Sequence, residues 1–348
     1  MKMQPLDETQ YDEWDRFVYK AGNGSIFHTA WWYKSWGVKF GIYATLDKDG
    51  EIEAGIPIYV SRFEHMPKFF HVQGVGRPPL TPVNGPVFRD CAKTARSSIN
   101  TYVKEELLCA IESLPQADFY DLHLWRFCSD LTPFIWNGFE TSVYHTYVIP
   151  TGDMEDWKMN MSKKSRRLLK EAHAEADEKG YSKIETGLPF DDICLPFKET
   201  EEEKKYKEHF TVRMPKWLET VMERKAGMSY LIRDKEGKPS CASIMVWDNR
   251  TAYALMNGTL RSMRKESHVN MLLFERMIED ALGMGLDFDF EGSTLMGVER
   301  FYRGWGGEIR TCFRVTKCPS ILIYIGLKGH RYLKLHRKSG WVSVEGGI

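Results

Sequence analysis

The chain has 348 residues, of which 43% are apolar and 28% charged, and its 48 basic side chains are balanced by 48 acidic ones. That composition excludes a disordered chain, the length gives room for two domains with separate cores, and the charge balance removes any overall field drawing the protein onto nucleic acid. No apolar run reaches the roughly 18 residues of a membrane span, and the start MKMQPLDETQYDEWDRF has acids early and no leader pattern, so a cytoplasmic location and no membrane span are expected. The seven cysteines, Cys91, Cys109, Cys128, Cys194, Cys241, Cys312 and Cys318, are widely spaced with no Cys-x-x-Cys pair, which indicates neither a disulfide framework nor a metal site.

In chain order, the pattern predicts helices over 11–19 and 29–36, then a hairpin with arms 42–46 and 52–60 turning at Asp49-Gly50. A Gly- and Pro-rich stretch, 74–86, reads as a long loop, and it includes the end of a glycine motif, His71-x-x-Gly74-x-Gly76, that no helical pattern follows. A helix over 97–113 and a strand over 119–125 close the first half. After Pro150 the order begins again. Helices are predicted over 162–179 and 214–225, strands over 230–233, 241–247 and 251–257, a helix over 269–284 and a strand over 288–291. This is an α/β chain with mixed sheets, read as two similar domains, 1–152 and 153–325, followed by a basic tail, 326–348.

Within the second half, the run DFDFEGSTLMGVERFYRGWGG from Asp287 to Gly307 is the richest in chemistry. Asp287, Asp289 and Glu291 alternate with Phe288 and Phe290, so in a strand the carboxylates share one face and the rings the other. Gly292 permits a sharp exit, and Arg300, Tyr302 and Arg303 follow. The same spacing also suits strand-end acids that cap a helix and arginines that neutralise them.

Lys163, Arg166, Arg167 and Lys170 fall at i, i+3, i+4 and i+7, a basic stripe opposite Met161, Leu168, Leu169, Ala172 and Ala176. A solvated helix face and a phosphate contact both fit it. His268, beside Ser267, is a candidate base by its ordinary pKa, and a structural histidine has the same appearance. Lys328 to Lys338 is basic and aromatic, compatible with a solvated end or with an anionic surface.

The block from Asp287 resembles the carboxy-terminal signature of the FemABX-like branch of the GNAT acyltransferase superfamily, a strand and a small residue followed by Phe-Lys-x-x-Phe-Gly. Phe301, Tyr302, Trp305 and Gly306 stand at the matching positions, with Tyr302 where the family prefers Lys. The resemblance implies a tandem GNAT-like acyl-CoA N-acyltransferase fold with the active site in the second domain. It also implies transfer of an acyl or aminoacyl group to an amine. In that chemistry Asp289 or Glu291 would bind the amine or take its proton, and Tyr302 with Arg303 would hold the oxyanion.

GNAT enzymes cradle a pyrophosphate on an Arg/Gln-x-x-Gly-x-Gly/Ala pattern followed by two leucines. Here Arg264, Ser267, Val269 and Leu272-Leu273 keep the frame without its glycines. Arg264, Ser267, His268 and the stripe Lys163, Arg166, Arg167 and Lys170 are therefore the candidate donor- or phosphate-binding residues. No tightly bound cofactor or metal is implied. The donor is acyl-CoA or aminoacyl-tRNA, and the acceptor is an amine on a small molecule or a cell-wall precursor, with tRNA a possible partner. Three readings stand: a FemABX-like aminoacyl transfer, an acyl-CoA-dependent N-acetyltransferase of a small amine, and a binding module that keeps the fold without chemistry. Turnover with any donor separates the third from the other two.

Overall fold

The computed structural model describes residues 2–62, 73–91, 94–126, 128–153, 156–181, 183–199, 212–263, 267–293, 295–320 and 323–324. His71, Arg264 and the Lys328 to Lys338 run lie outside the described residues. The elements, in order, are β1 (Gln4–Pro5), α1 (Tyr11–Lys20), α2 (Ala30–Ser35), β2 (Phe40–Leu46), β3 (Ile52–Arg62), β4 (Gln73–Gly76), β5 (Val87–Phe88), α3 (Arg96–Glu112), β6 (Phe119–Leu124), α4 (Thr132–Trp136) and β7 (Glu140–Ile149). They continue with α5 (Trp157–Asn160), α6 (Lys163–Lys179), β8 (Glu185–Thr186), α7 (Phe190–Lys198), α8 (Met214–Glu223), β9 (Gly227–Arg233), β10 (Pro239–Trp247), β11 (Thr251–Thr259), α9 (Asn270–Gly283), β12 (Asp287–Asp289), α10 (Met296–Arg303) and β13 (Glu308–Lys317). No described helix is long and apolar enough to cross a membrane.

The chain forms two compact units. The first takes the residues up to Lys34, Val38–Tyr144 and the described residues from Thr311 on, and the second takes Ser35–Gly37 and His145–Arg310. In the first, β1 to β4 pair antiparallel in sequence order, β4 runs parallel to β6 with Val75 opposite Tyr120, and β13 closes the run antiparallel to β6 with Val315 opposite Leu122. The β2–β3 turn is held by the Asp47 carboxylate, which accepts the N–H groups of Asp49 and Glu51 at 2.9 and 3.0 Å. Ile56, Val75, Leu107, Leu122 and Val315 share this unit's core.

The second unit repeats the scheme. β8 to β11 pair antiparallel in order, β11 runs parallel to β12, and β12 pairs antiparallel with the end of β7, Phe288 opposite Ile149. In each unit a long helix, α3 or α9, lies in the connection between the two parallel strands, the crossover such a pair requires. Helix α9 buries Leu273, Phe274, Met277, Ile278 and Ala281, and each large side chain among them contributes about 1.5–3 kcal/mol of transfer free energy.

Four sequence expectations change. The compact units are not the contiguous halves 1–152 and 153–325, because the described residues from Thr311 on group with the first unit and the chain from His145 already groups with the second. The glycine stretch after residue 73 is not all loop: Gln73–Gly76 is β4, its backbone held between β3 and β6 despite glycine's poor strand propensity. The strand predicted over 288–291 stops at Asp289, since Glu291 has φ 62° and leaves the pleat. The alternation that would put Glu291 on the face of Asp289 therefore does not extend that far. Finally, β7, β13 and α10 are elements for which the sequence reading had no counterpart.

Candidate active site

The parallel pair β11–β12 ends in the turn that carries the candidate carboxylates. Asp287 accepts the Thr151 N–H at 3.1 Å. Asp289 is 1% exposed. Its Oδ1 takes a short hydrogen bond from the Thr146 hydroxyl and another from the Glu291 N–H at 2.9 Å. A buried carboxylate supplied with donors on this scale acts as a brace. It fixes the backbone of Glu291, whose left-handed conformation costs a non-glycine residue about 1 kcal/mol or more. Gly292 follows at φ 66°, and a Cβ there would lie 2.2 Å from the His145 carbonyl oxygen, so only glycine fits.

Beyond the turn, α10 presents Glu299 and Arg303 one helical turn apart. Glu299 Oε1 accepts the Tyr147 hydroxyl at 2.6 Å and pairs with Arg303 Nε at 3.0 Å. Burial and the neighbouring Glu299 raise the Tyr147 phenol above its ordinary pKa. The Arg303 side chain is 60% exposed, so its cation faces solvent while one edge is held. Tyr302 points the other way: it is buried, with its ring 5.1 Å from Phe290 and 6.0 Å from Phe274 in an aromatic cluster that includes Phe301 and Trp305. Gly306, at φ 82°, comes so close to Asn160 that a Cβ would meet its carbonyl oxygen at 2.3 Å, which locks the segment after α10 against α5.

Helix α6 begins next to this segment. Ser162 caps it, accepting the Ser165 N–H at 3.0 Å, and the Ser162 N–H donates to the Gly304 carbonyl at 3.0 Å. Leu169 and Ala172 are buried, while Lys163, Lys164, Arg166, Arg167 and Lys170 are exposed; Arg167 pairs with Glu171 at 3.3 Å. Five cations in two turns at a helix start oppose the macrodipole, which favours anions there.

At the start of α9 the other candidates have partners within the chain. The His268 N–H donates to Glu175 Oε2 at 3.0 Å, and the Val269 N–H to the Ser267 hydroxyl at 3.2 Å. Glu175 also holds Lys179 at 2.8 Å. Burial pushes its carboxyl up, but Lys179, the His268 N–H and the Ser267 hydroxyl together leave it below the usual range. Burial pushes the Cys241 and Cys128 thiols up to about 12, which makes these two poor nucleophiles.

The structure thus brings Asp289, Glu291, Tyr302 and Arg303 into one turn–helix segment with the start of α6, and Ser267 and His268 together at the start of α9. Thr146, Tyr147, Glu175 and Glu299 were absent from the sequence-based set. Glu299 stood in the same run as Arg303 at i, i+4 spacing and was open to recognition; the others are defined by partners ~90 or more residues away in sequence.

Two units of the same strand order, each with a parallel pair and a crossover helix, make a tandem GNAT-like fold. A family profile described as "Acetyltransferase (GNAT) domain" matches residues 162–303. Among solved structures, the chain is similar to FemX, with a TM-score of 0.58, 11% identity and coverage of 90% of this chain and 97% of that one. It is also similar to a tandem GNAT protein from the clavulanic acid biosynthesis pathway, with a TM-score of 0.54, 10% identity and coverage of 91% and 98%. L-PGS from Bacillus licheniformis follows at 0.50, with 12% identity and coverage of 94% and 97%. At such identities the likeness is one of fold. No curated protein matches the chain.

Proposed function

We propose that this chain is an acyltransferase that moves an acyl or aminoacyl group from an activated donor to the amine of an acceptor, with its reacting centre at the turn between β12 and α10. The observation that carries the reading is the braced, strained turn Asp289–Glu291–Gly292 at the carboxyl end of a parallel strand, where open α/β sheets receive ligands. The GNAT profile over 162–303, which includes this turn, supports it.

In this mechanism the acceptor nitrogen attacks the donor's acyl carbon and the carbonyl electron pair moves onto oxygen. One N–H proton passes to the Glu291 carboxylate, which Asp289 positions through the backbone. Collapse of the tetrahedral species restores the carbonyl and expels the donor's leaving group with the bonding pair. Arg303, tethered by Glu299, supplies positive charge to the oxyanion, while Tyr302, expected from the sequence to share that role, lies buried in the aromatic cluster and takes no part in it; such a group is worth about 3–4 kcal/mol of transition-state stabilisation.

The cationic start of α6 receives the donor's phosphates, a role that the exposed Lys163, Arg166, Arg167 and Lys170 fit by charge and position. An aminoacyl-tRNA donor, with a small amine or a cell-wall precursor as acceptor, uses that surface best. The second reading, an acyl-CoA-dependent N-acetyltransferase of a small amine, draws on the match to the GNAT domain.

The test is transfer of labelled acyl groups to a panel of primary amines, including a lysine-bearing cell-wall precursor, from mixed aminoacyl-tRNA and, separately, from acetyl-CoA. Transfer from aminoacyl-tRNA that Arg303→Ala lowers by about 100-fold or more supports the proposal. Absence of turnover with both donors sinks it and leaves the fold as a binding module.

A further inference from the structure

A pyrophosphate cradle needs backbone N–H groups that point outward with no partner. At the start of α9 the N–H groups of Ser267, His268, Val269, Met271 and Leu272 are already engaged. The Ser267 N–H donates to the Met263 carbonyl at 3.0 Å, the His268 N–H to Glu175 at 3.0 Å and the Val269 N–H to Ser267 Oγ at 3.2 Å. The Met271 and Leu272 N–H groups donate to the His268 and Val269 carbonyls at 2.9 and 3.0 Å. Where the glycine frame would let a ligand approach, Val269 is fully buried. Glu175 reaches this loop from α6, with its side chain only 12% exposed and its other oxygen on Lys179.

We infer that Glu175 is a resident anion that occupies the place of a donor pyrophosphate, so that this chain does not take coenzyme A thioesters at the start of α9. A carboxylate there has the charge sign a helix start favours, and it accepts the N–H that a phosphate oxygen would otherwise take. The described residues at the start of α9 do not fit the pyrophosphate of coenzyme A. For the donor, the inference rests on the acyl-transfer reading and selects the donor whose phosphates meet the exposed face of α6. As a statement about Glu175 it stands independently of that reading.

The experiment is calorimetric titration of wild type, Glu175→Gln and Glu175→Ala with coenzyme A and with inorganic pyrophosphate, paired with thermal denaturation in each ligand. Wild type is expected to take up neither ligand below millimolar concentration. Glu175→Ala is expected to melt lower and to regain several degrees in millimolar pyrophosphate, at least twice the shift of wild type; Glu175→Gln keeps the shape and checks that the effect follows charge. Micromolar coenzyme A binding by wild type, or the same pyrophosphate response in all three proteins, overturns the inference. Transfer from acetyl-CoA by wild type also overturns it while upholding an acyltransferase. Failure of every donor to turn over sinks the proposed function and leaves the binding comparison to decide Glu175.

Discussion

One oxygen of Glu299 accepts the Tyr147 hydroxyl at 2.6 Å and holds Arg303 Nε at 3.0 Å. The carboxylate thereby ties α10 to the strand that pairs with β12 and limits the excursions of an exposed guanidinium. Arg303→Ala is expected to lower kcat by about 100-fold or more through loss of the oxyanion partner. Glu299→Gln, which keeps an acceptor but not the charge, should cost about tenfold, mostly in kcat, because Arg303 stays but wanders. Steady-state kinetics with a single aminoacyl donor checks both. Equal loss in the two variants would mean that Glu299 does more than position Arg303.

Strain at the turn makes an opposite pair of predictions for adjacent residues. Gly292→Ala drives a methyl group onto the His145 carbonyl and is expected to destabilise the protein by about 2–4 kcal/mol. Glu291→Gly removes a side chain from a left-handed position and is expected to stabilise by up to about 1 kcal/mol while abolishing transfer. Denaturant unfolding of both variants, with activity measured on the second, provides the check. A Glu291→Gly protein that is fully active removes Glu291 from the mechanism.

On the proposed function, charge on α6 is expected to govern affinity rather than folding. Replacing Lys163, Arg166, Arg167 and Lys170 together by Ala should leave the melting temperature within a few degrees, since all four are exposed. The slope of log affinity for single-stranded or tRNA-sized RNA against log salt should become shallower by about 3, at roughly 0.7–0.9 per phosphate contact. Fluorescence anisotropy over a salt series reads this directly. An unchanged slope would mean that the stripe is a solvated face.

In the first unit, Arg314 grips Asp121 through two nitrogens, at 2.7 and 3.1 Å, and His123 Nε2 lies 3.4 Å from the same carboxylate. Burial, with Arg77 and Arg314 nearby, lowers the His123 pKa to about 4 against the opposing pull of Asp121. Between about pH 6.5 and 4 the unfolded chain therefore binds a proton that the folded chain refuses. The stability tied to neutral His123 is complete above pH 6.5 and is lost as pH falls to 4, by up to ~3 kcal/mol. His123→Gln should flatten that part of the stability profile. A profile identical to wild type would contradict the assignment.

Local signals were legible where local chemistry decides. The Asp49-Gly50 turn, the amphipathic face of α6 and the hairpins β9 to β11 all follow from turn preference and period. Asp289 and Arg303 were visible as candidates because their types and spacing are unusual. Their partners were not: Thr146 and Tyr147 become neighbours of β12 and α10 only through pairing of β7, and nothing in Glu175 distinguishes it from the other acids of α6 until His268 is brought to it. The β4 segment misled for a simpler reason, since Gln-Gly-Val-Gly has one residue with good strand preference and is held by its neighbours.

The exchange of strand ends has a consequence for biosynthesis. The first unit's sheet gains β13 only from residues 311–317, long after β6 in the chain, while the second unit takes residues 145–149 from a strand that begins in the first. A ribosome that has released the first 152 residues has therefore released neither unit in finished form. At about 5–20 residues per second, the open edge of β6 waits on the order of ten seconds or more for β13, and a nascent chain with such an edge is a natural client for a chaperone.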